Sequence, residues 1–196
     1  MTEDIKKITA AAHQALEGFL IPLIKHTYTT TEYNRLLRMF YGYYKPLEDR
    51  LDLFQLAEVV PDYGQRRKAH LLLDDLGVLG QETGDIPLCS ALPAIRSQEE
   101  ASGALYVLEG STLGGTIIRK ILQRNLQRTG QEGFLFFTGY GEHTHERWLT
   151  FKAALDGRYR QSSQLEQITS AATQTFQTLK NWAQYCYNQE PVKDTL

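Results

Sequence analysis

Apolar residues return at three- and four-residue intervals along nearly all of this chain, and nowhere do they alternate over a run that would make a strand with a visible partner. Thr2 to Leu20 sets Ile5, Ile8, Ala12, Leu16 and Phe19 at helical spacing, and Pro22 is expected to close that helix. Thr29 with Glu32 three residues later fits a capping box, opening a second helix through the Leu-, Phe- and Tyr-rich stretch Tyr33 to Leu56. Pro46 lies inside that stretch and predicts a kink or a break near Tyr44 and Lys45. A third helix is expected over Tyr63 to Leu76, a loop over Gly77 to Leu92, and a long helix from about Gln98 to Arg128, split or bent at Gly110 to Gly115. The turn-rich stretch Gly130 to Gly141 reads as a loop that packs its aromatic centre on the bundle, followed by helices over His145 to Leu155 and Ser162 to Asn188. The last residues, Gln189 to Leu196, read as a frayed tail. With no repeat, linker or low-complexity tract, residues 1–196 are expected to form a single-domain all-α bundle.

Composition narrows what such a bundle can do. At 196 residues with 42% hydrophobic and 22% charged content, the chain can bury one sizeable core. A formal net charge of -2 gives no electrostatic footprint for nucleic acid. No apolar run approaches the roughly 20 residues needed to span a bilayer, and the N-terminal residues lack the apolar centre of a signal peptide. The expected location is therefore cytoplasmic, with no membrane partner. Cys89 and Cys186 form no CxxC pattern and read as buried or inert thiols.

One helix is unusual. Leu105 to Ile118 carries three glycines, Gly110, Gly114 and Gly115, and two hydroxyls, Ser111 and Thr112. Each mid-helix glycine costs about 1 kcal/mol relative to alanine, so the bare backbone is expected to gain close approach to something. Gly110 and Gly114 share one face, as do Ser111 and Gly115. That face suits a large planar ligand, and it equally suits a tight helix crossing or a turn between two shorter helices. On the first helix, Lys6, His13 and Glu17 can also share a face. Glu17 is one turn from His13, close enough to accept a proton from one imidazole nitrogen and leave the other free for a metal. Lys6 lies two turns upstream, about 10.5 Å along the axis. A solvated helix with an incidental His/Glu pair has the same spacing.

Together these motifs resemble the heme oxygenase family over most of the chain. Ile8 to Glu17 is similar to the family's proximal helix, Leu105 to Gly115 to its distal helix in the bacterial members, Gly133 to Thr138 to the aromatic segment that follows, and Trp148 to Leu155 to the helix that supplies basic residues. The resemblance implies that His13 binds heme iron with Glu17 orienting it, and that Gly110, Gly114 and Gly115 let the backbone sit over the heme. It also implies that Lys6, Tyr106 and Lys152 hold the propionates, with Arg147 as the substitute for Lys152. The implied reaction is cleavage of heme by O2 to biliverdin, carbon monoxide and iron, heme being both cofactor and substrate. No GxGxxG fingerprint is present, so electrons are expected from a separate reductase or ferredoxin, and a bilin-accepting photoreceptor is a further possible partner.

One position departs from the pattern. Animal-type members carry an aspartate after the first distal glycine, where this chain has Ser111. Ser111, Thr112 and carbonyls freed at the glycines are expected to hold an ordered water in its place. The same substitution makes a non-catalytic heme carrier or sensor the leading alternative. A di-iron oxidase would need paired Glu-x-x-His motifs, and Glu142 with His145 supplies one copy. A scaffold using Tyr41, Tyr43 and Tyr44 for a partner protein is the remaining competitor, although such residues usually line cores or pockets.

Overall fold

In the computed structural model, which describes residues 1–188, the helical spacing is realised as seven α-helices, with no strand among the described residues. The expected tail at 189–196 lies outside them. Helix α1 spans Thr2–Lys25 and α2 spans Thr30–Leu51. The capping box closes as read: the Glu32 N–H donates to Thr29 Oγ1 at 3.2 Å, and the N–H groups of Tyr28 and Thr29 donate to the Glu32 carboxylate at 2.8 and 2.9 Å.

Pro22, expected to close α1, lies inside it, and α2 is not broken at Pro46. Pro22 withholds a donor from the Gly18 carbonyl, and both residues are exposed, so water can serve that group. Pro46 similarly frees the carbonyl of Gly42, which is buried. Here the Cys89 N–H donates to it at 2.7 Å, so a loop residue replaces the missing helical bond. The loop gets that close because position 42 has no Cβ; a methyl group there would overlap the Pro87 carbonyl and the Trp182 ring.

After α2 the chain makes two single 3₁₀ turns, Leu56–Glu58 and Tyr63–Gln65, before α3 at His70–Val78. The helix expected from Tyr63 therefore starts seven residues later, because Arg66 is extended (ψ 155°) and turned inward onto Glu109, while the Glu48 carboxylate takes the Ala69 N–H at 2.8 Å. Helix α4, Gln98–Asn125, is not split: it runs unbroken through its glycines from a Ser97 cap. Every residue from Ala101 to Glu109 is buried, which makes α4 the axis of the bundle.

The aromatic loop contains the one-turn helix α5, Leu135–Thr138, and is followed by α6, Thr144–Arg158, and α7, Ser162–Asn188. Asp75 of α3 anchors α5 by accepting the N–H groups of Leu135 and Phe136 at 2.7 and 3.0 Å. Phe134 stacks on Tyr33, and Phe136 and Phe137 pack against Phe40. Burial holds the Asp75 carboxyl up at about 6.

The directions of the long helices decide what faces what. Gln164 lies on Glu99 at 3.3 Å and Ile168 lies against Gly103, so α7 advances with α4. The Asn125 side chain donates to the Lys25 carbonyl at 2.9 Å, so α1 and α4 finish side by side. At their other ends α6 joins them, its Trp148 ring 5.2 Å from that of Tyr106 and its Lys152 Nζ 4.0 Å from Glu3.

Candidate functional site

The parallel run of α1 and α4 brings the two sequence motifs to one height. Twelve residues before Lys25 stands His13, and twelve before Asn125 stands Leu113, a rise of about 18 Å on each helix. His13 thus stands level with the Gly110 to Gly114 turn. Its side chain is half exposed, its Nε2 lies 3.3 Å from Glu17 Oε1, and its ring centroid is 5.1 Å from that of Phe176 on α7. The i,i+4 spacing makes the Glu17 contact, and packing against Phe176 supports one side of the imidazole.

On α4, Gly110, Leu113, Gly114 and Ile117 form one stripe at helical spacing. Leu113 is 41% exposed and Ile117 65%, with Leu149 of α6 at 47%. A Cβ built on Gly114 meets nothing within 4 Å, and one on Gly110 meets only the Trp148 ring, at 3.6 Å. The stripe is therefore apolar and open. Gly115 does something else. It is buried against the Phe137 carbonyl, which a Cβ would overlap, so it seats α4 on the aromatic segment.

The residues expected to bind an anionic edge gather toward the N-terminal end of α1. Tyr106 is buried beside Trp148, and burial pushes its phenol up to about 12. Lys152 reaches between Glu3 and the Trp148 ring, 5.9 Å from its centroid. Lys6 is exposed on α1, two turns before His13. Arg147, the substitute for Lys152, is engaged elsewhere: it donates to Asp62 and to the Gln65 carbonyl, both at 3.3 Å.

Ser111 lies in a polar cluster that sequence spacing did not show. Its Oγ donates to the Leu108 carbonyl at 2.7 Å, accepts from Arg67 Nη2 at 2.6 Å, and shares a 3.0 Å hydrogen bond with the Tyr44 hydroxyl. Thr112 likewise donates to the Glu109 carbonyl at 2.6 Å, so both hydroxyls are turned onto carbonyls of an unbroken helix. Beneath them Arg66 and Glu109, 1% and 3% exposed, pair at 2.8 Å, with Asp62 on the other side of Arg66 and Tyr140 donating to Glu109. Arg66 and Arg67 are 41 or more residues from their partners on α4, and the one available signal was a basic run, Arg66-Arg67-Lys68, at the mouth of a helix.

The competing readings find little support. Among the described residues no group of three or more His, Cys, Asp and Glu side chains comes together as a metal site. His143 is exposed and sits 3.2 Å from Glu146. Tyr43 and Tyr44 are buried, their hydroxyls held by Thr175 and Thr178 or by Ser111. No helix among the described residues is long and apolar enough to cross a membrane.

Comparison with known proteins bears on the family and the fold. The family profile described as heme oxygenase matches residues 81–185. A protein named heme oxygenase from Xanthomonas campestris pv. campestris (strain 8004) is 30% identical over 132 residues, covering 67% of this chain and 76% of the relative. The solved heme oxygenase of Leptospira interrogans superposes with a TM-score of 0.74 at 20% identity, over 91% of this chain and 95% of that one, which shows the common fold.

Proposed function

Because this chain belongs to the heme oxygenase family of enzymes, we propose that it cleaves heme with O2 to biliverdin, carbon monoxide and iron, on electrons from a separate reductase or ferredoxin. The observation that carries the proposal is the open glycine stripe of α4 standing level with His13 on a parallel α1. The residues fit the ligand. A flat apolar macrocycle suits a stripe where position 114 has no neighbour, an imidazole stands at the same height, and Lys6, Lys152 and Tyr106 are the donors a propionate edge requires.

When bound, heme supplies both the iron that reduces dioxygen and the ring that is oxidised. The chain's own residues do the rest. His13 would hold the iron through an imidazole nitrogen, and Glu17, 3.3 Å from Nε2, would steady the ring and strengthen its donation. Gly110 and Gly114 leave room on the α4 side for dioxygen, while Trp148 limits that room from one edge. Lys6, Lys152 and Tyr106 would hold the propionate edge. Ser111 holds a proton at Oγ, oriented by Leu108, Tyr44 and Arg67, and the aromatic wall of Phe136 and Phe137 keeps water from that side.

The commitment of both hydroxyls to helix carbonyls is the observation that favours the second reading, a heme carrier of the same fold. One experiment separates the two. Hemin is titrated into the chain and into His13→Ala; a sharp Soret band in the parent and an altered one in the variant is expected. The parent complex, given reductant and O2 with catalase present, is expected to lose the Soret band and gain biliverdin absorption with release of carbon monoxide. Intact heme after reversible oxygen binding would leave the carrier, and an identical Soret band in His13→Ala would remove His13 from the site.

A further inference from the structure

We propose that Arg67 gives the glycine side of the site a fixed positive charge and with it an affinity for small anions. The inference rests on the heme reading above for its probe, but its geometry stands on the chain alone. Arg67 Nη2 donates both to the Leu108 carbonyl at 2.9 Å and to Ser111 Oγ at 2.6 Å, groups on either side of Glu109 and Gly110 in sequence. The guanidinium lies over the Phe136 ring at 4.1 Å and near that of Tyr44 at 5.4 Å, so it is packed on apolar and aromatic surface. Its main-chain N–H donates to the Tyr140 hydroxyl at 2.8 Å, and that hydroxyl donates to Glu109. Both ends of the residue are therefore fastened to α4 or to groups bonded to α4.

What sets Arg67 apart from its neighbours is its charge balance. Arg66 pairs with Glu109 and Asp62, and Arg147 pairs with Asp62. Among the described residues no carboxylate stands within ion-pair distance of Arg67. The acidic residue of α4 next to Gly110, Glu109, is already paired with Arg66, and the buried Glu48, which accepts the Ala69 N–H, feels the charges of Lys68 and Arg67 from beyond ion-pair distance. A guanidinium keeps further N–H donors beyond Nη2, and hydrogen bonds from a charged donor to an anion are the stronger kind. The serine that follows the first glycine of α4 thus has a cation against it.

The test uses the hemin complex of the full chain, with azide and fluoride as probes of the ferric form and carbon monoxide as a neutral probe of the ferrous form, followed by absorption. Arg67→Met is expected to weaken azide and fluoride binding about ten- to a hundred-fold. Carbon monoxide affinity should change far less, and Arg67→Lys, which keeps the charge without the fork, should fall between. Lys120→Met, which removes an exposed charge from α4, should match the parent. Arg67→Gln repeats the comparison should the methionine variant prove unstable to heat. Equal azide affinity in the parent and the uncharged variants, with the Soret band unmoved, overturns the inference while leaving the heme reading in place. A parent that takes up no hemin overturns both.

Discussion

Gly114 and Gly115 are adjacent, identical and helical, yet substitution by alanine should move stability in opposite directions. At position 114 the added Cβ meets nothing within 4 Å, so what remains is the intrinsic gain of about 1 kcal/mol for replacing a mid-helix glycine. For a chain of this size that is a rise in Tm of about 2–4 °C. At position 115 the Cβ would overlap the Phe137 carbonyl, a main-chain atom of a segment that Asp75 and Tyr33 hold in place. Forcing α4 away from α5 should cost about 1–3 kcal/mol, more than the propensity gain, and lower Tm by several degrees. Thermal unfolding followed by circular dichroism measures both. Hemin titration then supplies the functional half: Gly114→Leu should fold at least as well as the parent and lose hemin or carbon monoxide binding, because the side chain fills the open stripe. A destabilising Gly114→Ala, or a neutral Gly115→Ala, would refute the division of the glycines into one that faces ligand and one that seats the helix.

Arg66→Met strands the buried Glu109 carboxylate and should cost about 3–5 kcal/mol in denaturant unfolding, while adding Glu109→Met should recover a good part of it. Glu48 is buried and its carboxyl is raised to about 7, so its contribution to stability is full below the ordinary carboxylate range and is lost as pH rises through 7. Glu48→Gln keeps an acceptor for the Ala69 N–H and should therefore flatten the decline in stability between pH 4.5 and 7.5, estimated as roughly the window over which such a group titrates; an unchanged profile would show that the group titrates elsewhere. Gly42→Ala should destabilise by about 1–3 kcal/mol, since the Cβ would overlap both the Pro87 carbonyl and the Trp182 ring, and a variant with the parent's Tm would contradict that packing.

Local order was legible because helices are made from contacts three and four residues apart. The Thr29–Glu32 box, the His13–Glu17 pair and the Gly110–Gly114 stripe each follow from that spacing, and each forms in the structure. The same locality is silent on what replaces the bond that a proline removes. Pro46 removes a helical bond whether or not a replacement exists, and the replacement is the N–H of Cys89, far along the chain in a loop with no periodicity of its own. The start of α3 was misplaced for a similar reason, since Arg66 is drawn inward by a carboxylate on another helix.

The chain by itself determined that this protein is a helical bundle, that Thr29 opens its second helix, and that an imidazole on the first helix and a glycine-bearing face on the fourth repeat at helical spacing. Only the packing of those helices decided that α1 and α4 run side by side, which puts His13 level with the stripe. Packing also decided that Gly115 serves the core while Gly114 stays open, and that the charge beside Ser111 is Arg67. Hydrogen bonding along a helix is settled within one turn, whereas a side chain's distant partners depend on how whole helices bury their apolar faces against one another.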